Sequence, residues 1–218
     1  SEGGPFFLYF AHMYVHVPLF VPDSFMRQSR NGAYGGAVAA IDWSLGVLLA
    51  ELDRLKIAEK TLIIFTSDNG SRARDEGGSN APFRGVKGTT WEGGMRVPCI
   101  VRWPGTIPGG RRSEALLTTM ELLPTLASLI GIDLSDLVDL GRRPIDGLDA
   151  METLLGRNDE SPRRELLYYM GPRLEAIRYD RWKLRLLPDE TEGQARDGEA
   201  RRNSGHKSYT ALYNLQED

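Results

Sequence analysis

The first apolar run in the chain is PFFLYF at residues 5–10, which has no helical period. A second run, TLIIFT at residues 61–66, starts with β-branched residues and leads into SDNG at residues 67–70. Short apolar runs without polar alternation are typical of strands that are covered on both faces. We therefore predict two buried strands, each followed by a polar segment.

A helical pattern separates these two runs. Between residues 34 and 55, apolar side chains recur at intervals of three and four: Val38, Ile41, Leu45, Leu48, Leu49, Leu52 and Leu55. This spacing predicts an amphipathic helix. Strand, helix and strand in this order make a βαβ unit, so we expect the two runs to lie parallel in one sheet. Ligands then bind beyond the carboxyl ends of the strands.

A long glycine-rich loop at residues 71–96 is ended by the segment MRVPCIVRW, residues 95–103, which predicts a strand. Residues 116–130 predict a helix. Near the C-terminus, apolar residues alternate on both sides of Asp180-Arg181, which predicts a hairpin, and YTALYNL predicts a third strand. The intervening residues 188–208 are charged and poor in apolar side chains, which predicts a mobile loop.

Composition narrows the classes of function. Of 218 residues, 41% are hydrophobic and 26% charged, so the chain can bury one core of ordinary size. Lys and Arg total 27 against 30 Asp and Glu, so no basic field favours nucleic acid. The single cysteine, Cys99, excludes an internal disulfide, and its apolar neighbours predict a buried, inert thiol. No uninterrupted apolar run approaches the ~20 residues of a membrane span, so none is predicted.

Asp68 and Asn69 follow the second predicted strand and place a carboxylate beside a carboxamide. Such oxygen ligands suit a hard divalent cation, calcium above all. Calcium takes about six to eight oxygens, so this pair would supply only a minority of them. The structural alternative is an Asx turn, in which the Asp68 carboxylate caps backbone amides.

Two histidines, His12 and His16, follow the first predicted strand. Pro18 and the aromatic context favour a loop here, and too few other nitrogen or thiolate ligands exist for a zinc site. We expect His12 to be a structural histidine with satisfied hydrogen bonds. His16 is expected at the same end of the sheet as Asp68, where an imidazole can contact an anion or protonate a leaving group.

The segment PFRGVKGTTWEGGMRVP, residues 82–98, places Arg84, Lys87 and Arg96 among four glycines. Glycines permit close backbone approach and cations attract an oxyanion, so this segment is a candidate site for sulfate or phosphate. It matches neither of the common phosphate-loop motifs, and a solvated glycine-rich turn is the alternative. Glu92 is then either a surface charge or a residue that orients Lys87 or Arg96.

These segments together resemble the sulfatase family, the formylglycine-dependent arylsulfatases of the alkaline-phosphatase-like superfamily. The segments that carry the resemblance are PFFLYFAHMYVHVPL, AAIDWSLGVLLAEL, TLIIFTSDNG, FRGVKGTTWEGGMRVPCIVRWPG, ELLPTLASLIGI and LYNLQED. The resemblance implies an α/β fold: a partial, mostly parallel alkaline-phosphatase-like sheet with flanking helices, plus a small C-terminal antiparallel sheet. Residues 1–160 would then be the C-terminal part of the catalytic domain, and residues 161–218 a small antiparallel β subdomain.

The resemblance also implies roles for four residues. His16 and Lys87 would be catalytic and would bind the sulfate ester, with Lys87 assisting the leaving oxygen. Asp68 and Asn69 would ligate calcium. The substrate would be a small-molecule or glycan sulfate ester, and the family implies an exported location, whether periplasmic, secreted or lysosomal.

One family motif is not present in this sequence. The family's formylglycine is made from a cysteine or serine in a C/S-x-P/A-x-R motif, and Cys99 does not fit because Ile-Val-Arg follows it. We therefore expect the chain to correspond to the C-terminal part of a sulfatase, inactive alone and a weak binder of calcium. Two alternatives stay open: a phosphate-ester hydrolase or phosphomutase of the same superfamily, and a non-catalytic sulfatase-like module.

Overall fold

The computed structural model describes residues 4–74, 77–134, 144–186 and 211–217. Its helices and strands, in chain order, are α1 (Asp23–Met26), α2 (Gly32–Arg54), β1 (Ile63–Thr66), α3 (Glu92–Met95), β2 (Cys99–Arg102), α4 (Leu122–Leu129), α5 (Met151–Leu154), β3 (Glu165–Met170), β4 (Arg173–Tyr179), β5 (Trp182–Arg185) and β6 (Ala211–Asn214). Single turns of 3₁₀-helix lie at Ala58–Lys60 and Thr119–Glu121. The loop predicted at 188–208 lies outside the described residues.

Helix α2 confirms a helix where one was predicted, but none of the predicted apolar positions is fully buried. Its buried positions are small residues, Gly36, Ala37 and Ala40. A Cβ on Gly36 would lie 3.0 Å from backbone atoms of Met26, so the glycine lets the end of α1 approach α2 closely.

The middle of α2 exposes apolar side chains to solvent. The exposed fractions are 47% for Val38, 60% for Trp43 and 49% for Val47. By length and composition α2 could cross a membrane: its most apolar 18-residue window has a mean hydropathy of 1.4, and 17% of that window is buried. The sequence-based expectation of no membrane span therefore stays a prediction.

Strand β1 pairs with β2 and not with the N-terminal apolar run. The pairing is antiparallel, with Ile63 opposite Arg102 and Thr66 opposite Cys99. Residues 5–10 form no strand and are exposed, to 81% in Phe7. The predictions that this run is a buried strand and lies parallel to β1 are therefore wrong for the described residues. The apolar residues favour a buried strand, but a strand also needs a neighbouring strand to pair with. No described strand lies beside residues 5–10.

Strand β2 also corrects the expectation for Cys99, whose side chain is exposed. Among the described strands it has a partner on one side only, and its first two residues are exposed, Ile100 to 60%. Partial desolvation nonetheless raises the pKa of the Cys99 thiol. The thiol therefore stays protonated at neutral pH, in agreement with the predicted low reactivity.

The chain from β3 onwards folds into an antiparallel sheet with the strand order β3-β4-β5-β6. The predicted hairpin is confirmed, because Tyr179 of β4 lies opposite Trp182 of β5. Asp180 in the turn has a φ of 50°, a left-handed conformation that Asp tolerates better than most residues. Strand β6 is the predicted last strand, whereas β3 was not predicted. The boundary between residues 160 and 161 stays a prediction.

The helix predicted over 116–130 is shorter in the structure, because a capping box precedes α4. The Thr118 hydroxyl accepts a hydrogen bond from the Met120 amide, and the Glu121 carboxylate accepts one from the Thr118 amide at 2.7 Å. Glu121 is only 2% exposed, and it forms an ion pair of 2.6 Å with Arg163. This pair joins the start of α4 to the segment that leads into β3.

Candidate active site

The segment after β1 folds back on itself through backbone hydrogen bonds; we call residues 70–94 the glycine loop. The Gly70 amide donates to the Gly94 carbonyl at 3.0 Å, and the Gly93 amide donates to the Arg84 carbonyl at 2.7 Å. The Asn80 side chain adds cross-links to Ser71 and to the carbonyl of residue 85. The two ends of the loop and its middle are therefore held in contact.

Three glycines make these contacts possible. A Cβ on Gly70 would lie 1.9 Å from the Gly93 carbonyl oxygen, and one on Gly93 would lie 2.3 Å from the Gly85 oxygen. A Cβ on Gly94 would lie 2.4 Å from the Thr89 oxygen. In each case the obstacle is backbone, which cannot rotate away as a side chain can. Two of the glycines that suggested an anion site, Gly93 and Gly94, are thus also required for packing of the loop.

The loop brings Lys87 to the chain that follows Asp68 and Asn69. The Lys87 amide donates to the Ser71 carbonyl at 3.0 Å, only two residues beyond Asn69. Lys87 is half-buried and Asp68 is exposed. Within the described ranges, neither the Lys87 ammonium nor the Asp68 carboxylate has a hydrogen bond or ion pair. Since the carboxylate caps no backbone amide there, the Asx turn considered above is not observed.

His16 is not joined to the other three candidate residues. Its ring is exposed, and its Nδ1 donates to the Val17 carbonyl at 2.7 Å. Among the described residues no hydrogen bond or ion pair links it to Asp68, Asn69 or Lys87. The segment that follows His16 does approach the glycine loop. The two line one groove of about 480 Å³, whose lining residues are Val17, Leu19, Arg30, Asn31, Gly32, Ala33 and Gly77.

His12 confirms the expectation of a structural histidine. Its Nδ1 accepts a hydrogen bond from the Tyr14 amide at 3.2 Å, so the proton is on Nε2. Nε2 then donates to the Ser44 hydroxyl of α2 at 3.2 Å. The imidazole thus fastens the N-terminal segment to the helix, and both its nitrogens are occupied.

The donor set for a metal ion is small. Asp68 and Asn69 offer oxygen ligands of the kind that calcium prefers. The described part of the chain contains no group of three or more His, Cys, Asp or Glu residues that could hold a metal ion. The residues present fit calcium in type but supply only a fraction of the about six to eight oxygens that it takes.

Both expectations for Glu92 are wrong. Its side chain is 12% exposed, and within the described residues its carboxylate pairs with neither Lys87 nor Arg96. Its Oε1 accepts a hydrogen bond at 2.8 Å from Lys183 of β5, whose side chain is 1% exposed. The partner is distant in sequence and lies on another element, so the local pattern could not reveal it.

Replacing Gly70 by alanine is expected to disrupt the glycine loop. The new Cβ cannot fit against the Gly93 carbonyl, so the Gly70–Gly94 hydrogen bond must break and the free energy of unfolding should fall by about 2–4 kcal/mol. Urea denaturation of the purified chain measures this loss. The control is Gly46→Ala in α2, where a Cβ meets nothing within 4 Å. That change should add about 0.5–1 kcal/mol, and equal effects of the two variants would contradict the packing argument.

Comparison with known proteins assigns the family. A sequence model described as Sulfatase matches residues 1–132. Steryl-sulfatase of Mus musculus is 41% identical over 186 residues, which cover 82% of this chain and 29% of that protein. N-acetylgalactosamine-6-sulfatase of Canis lupus familiaris is 43% identical over 182 residues, which cover 82% of this chain and 34% of that protein. The chain thus spans about a third of the length of these curated relatives.

A solved structure supports the same assignment. The crystal structure of the PsFucS1 sulfatase from Pseudoalteromonas sp. matches with a TM-score of 0.81 and 29% sequence identity, covering 93% of this chain and 40% of that one. This similarity confirms the expected fold class, an α/β chain that is part of an alkaline-phosphatase-like fold. The expected sheet was mostly parallel, however, and both sheets within the described residues are antiparallel. The chain belongs to the sulfatase family.

Proposed function

We propose that this chain is part of a sulfuric ester hydrolase in which Lys87 and His16 act on the sulfate ester. One observation carries the proposal. The glycine loop places Lys87 beside the chain that follows Asp68 and Asn69, and within the described residues the Lys87 ammonium and the Asp68 carboxylate have no partner. A lysine and an aspartate that have no partner there, on two segments that a backbone hydrogen bond joins, are suited to binding a ligand.

The chemistry assigned to Lys87 is electrostatic. Cleavage of a sulfate ester builds negative charge on the departing oxygen, and a fixed ammonium stabilises that charge without reorganising. The loop supplies the fixed position, because the Lys87 backbone is hydrogen-bonded to Ser71. We assign Lys87 to binding the sulfate group and assisting the leaving oxygen.

His16 is assigned to proton transfer. Its Nδ1 is occupied as a donor to the Val17 carbonyl, so Nε2 is the nitrogen that can give a proton to the departing alcohol. The ring is exposed and close in sequence to the groove-lining Val17, which leaves it accessible to a substrate.

Two groups of the family's chemistry enter only as part of this proposal. Asp68 and Asn69 would hold calcium together with oxygens from the rest of the protein, and a bound calcium ion would supply positive charge beside the sulfate oxygens. Formylglycine, the family's nucleophile, would also come from outside these 218 residues, which contain no C/S-x-P/A-x-R motif. For this reason we propose that the chain alone has no turnover.

The substrate class and location follow from the relatives. The names steryl-sulfatase and N-acetylgalactosamine-6-sulfatase denote a sulfated small molecule and a sulfated sugar as substrates. We assign to this protein a sulfate ester of either kind and an exported location. Residues 1–160 would contribute to the catalytic domain, and residues 161–218 would form the C-terminal β subdomain.

The test compares the full-length protein that contains this sequence with the 218-residue chain. Both are assayed with 4-nitrophenyl sulfate and 4-nitrophenyl phosphate, in calcium and in excess chelator. We expect calcium-dependent sulfate release from the full-length protein only. Turnover by the chain alone would contradict its assignment as an incomplete site, preference for the phosphate would favour a phosphate-ester hydrolase, and inactivity of both proteins would favour a non-catalytic module.

A further inference from the structure

A buried ionic cluster outside the candidate site connects the glycine loop to the C-terminal sheet. Lys183 of β5 is 1% exposed. Its Nζ donates to the Thr90 carbonyl at 2.6 Å and to Glu92 Oε1 at 2.8 Å, and it lies 3.8 Å from the ring centroid of Tyr168. Both hydrogen bonds of this strand cation therefore go to the glycine loop.

Arg185 lies on the same face of β5 and makes a second set of contacts with the loop. Its guanidinium donates to the Thr90 hydroxyl at 3.0 Å and stacks 3.9 Å from the ring centroid of Trp91. The Thr90 hydroxyl in turn donates to Glu175 of β4 at 2.9 Å. We call the sheet residues that hold the loop the loop clamp; its members are Glu175, Lys183 and Arg185.

The residues held by the clamp lie directly against the part of the loop that carries Lys87. The Trp91 ring also contacts Tyr213 of β6, with the ring centroids 5.5 Å apart, and Arg84, whose guanidinium carbon is 4.2 Å from the ring centroid. A Cβ on Gly85 would lie 2.4 Å from the Trp91 Cβ, so the backbone of Gly85 lies directly against the Trp91 side chain. The Arg84 carbonyl also accepts from the Gly93 amide at 2.7 Å. A shift of residues 90–93 therefore moves the turn from 84 to 87.

The charged side chains of the loop clamp are better explained as fixing the position of the glycine loop against β5 than as stabilising the fold. A buried ion pair gains little over apolar side chains of the same volume, because both ions lose their hydration. The Lys183–Glu92 pair is also incompletely compensated, since Glu92 Oε2 is buried without a hydrogen-bond partner in the described structure. Hydrogen bonds are directional, so they fix residues 90–92 at a single position against β5. Apolar contacts would not specify that position.

We propose that Lys183 and Arg185 are positioning residues for Lys87: the C-terminal sheet fixes the glycine loop and thereby the ammonium that binds sulfate. The inference rests on the proposed function for its catalytic consequence. Its structural content, that the clamp orders the loop, stands independently of the reaction.

The first test measures loop order without any reaction. Hydrogen exchange of the 218-residue chain is compared for the original sequence and for Lys183→Met, Thr90→Val and Thr90→Ser. In the Met and Val variants we expect the Lys87 and Gly93 amides to exchange at least tenfold faster, with β3 and β4 unchanged. Thr90→Ser keeps the hydroxyl and should exchange like the original. Unchanged loop exchange, or equal acceleration throughout the chain, would overturn the proposal.

The second test asks whether the clamp acts through Lys87. In the full-length protein, Lys183→Met is made both in the original background and in Lys87→Ala, and kcat/KM is measured with 4-nitrophenyl sulfate. We expect a loss of at least tenfold in the original background and less than twofold in Lys87→Ala. A merely structural role predicts the same loss in both backgrounds, and that result would refute positioning. A full-length protein without sulfatase activity would refute the proposed function, while the exchange measurement would still decide the structural claim.

Discussion

Replacing Lys87 with alanine is expected to lower kcat/KM of the full-length sulfatase for 4-nitrophenyl sulfate by about 10²–10³-fold. The reason is that the glycine loop holds Lys87 in one place, and the ammonium has no partner within the described part of the chain that would compete with the sulfate. A preorganised cation of this kind stabilises the charge of the transition state more than that of the bound substrate, so the loss should fall mainly on kcat. Steady-state kinetics of the purified variant measure it.

Two further variants separate charge from geometry. Lys87→Arg keeps the positive charge but changes its position and shape, and it should recover only part of the activity. Lys56→Ala removes an exposed lysine two residues after the end of α2, outside the proposed site, and should leave kcat/KM within twofold of the original. If Lys87→Ala had no larger effect than Lys56→Ala, the assignment of Lys87 would be wrong.

Around the candidate site, the sequence features that the structure bears out are those that depend on local structure, whereas the roles of His16, Asp68, Asn69 and Lys87 stay predictions. Asp68 and Asn69 follow β1 after Ser67, and two of the glycines that suggested an anion site, Gly93 and Gly94, let the loop fold back on itself. Such features depend on residues close in sequence, so composition and spacing carry them. The grouping of His16 with these residues rests on the family resemblance and stays a prediction.

What the sequence did not predict depends on contacts between distant elements. The tail pattern of alternating apolar residues predicted the β4–β5 hairpin, yet the buried face of β5 carries Lys183 and Arg185. These cations are buried because Glu92 and the Thr90 carbonyl lie opposite them, about ninety residues earlier in the chain. Alternation of apolar and polar residues identifies a strand. Hydrophobicity alone nevertheless assigns the wrong face as buried when the surface packed against the strand is polar.

The N-terminal run shows the converse case. Residues 5–10 have the pattern of a covered strand but are exposed, because the pattern records what a segment favours and not what is beside it. The exposure of Cys99 has the same origin, since β2 has a single neighbour in the described residues. The sequence thus predicted α2, β1 and the β4–β5 hairpin, but it missed β3 and predicted a strand at residues 5–10, where none forms.

Replacing Glu121 with alanine is expected to reduce the free energy of unfolding by about 3–5 kcal/mol. The change leaves Arg163 without its carboxylate although this arginine side chain is only 10% exposed. It also removes the acceptor of the Thr118 amide and so the capping box before α4. Urea denaturation at neutral pH measures the loss. Glu152→Ala is the matched control, because it removes an ion pair of 2.8 Å with Arg157 in which both side chains are more than half exposed, and should cost less than about 1 kcal/mol.

The pH dependence of stability provides an independent check of the same carboxylate. Burial alone raises the pKa of Glu121, but the hydrogen bonds and charge supplied by Arg163 and Thr118 outweigh it, so the pKa in the folded chain is lowered. A carboxyl whose pKa is lower in the folded than in the unfolded state stabilises the fold fully above its unfolded pKa of about 4.3. That contribution disappears as the pH falls through the folded pKa. As the pH falls from 5 through this folded pKa, the free energy of unfolding should therefore decrease more for the original chain than for Glu121→Ala. Parallel pH profiles of the two chains would show that the Glu121–Arg163 pair does not stabilise the fold.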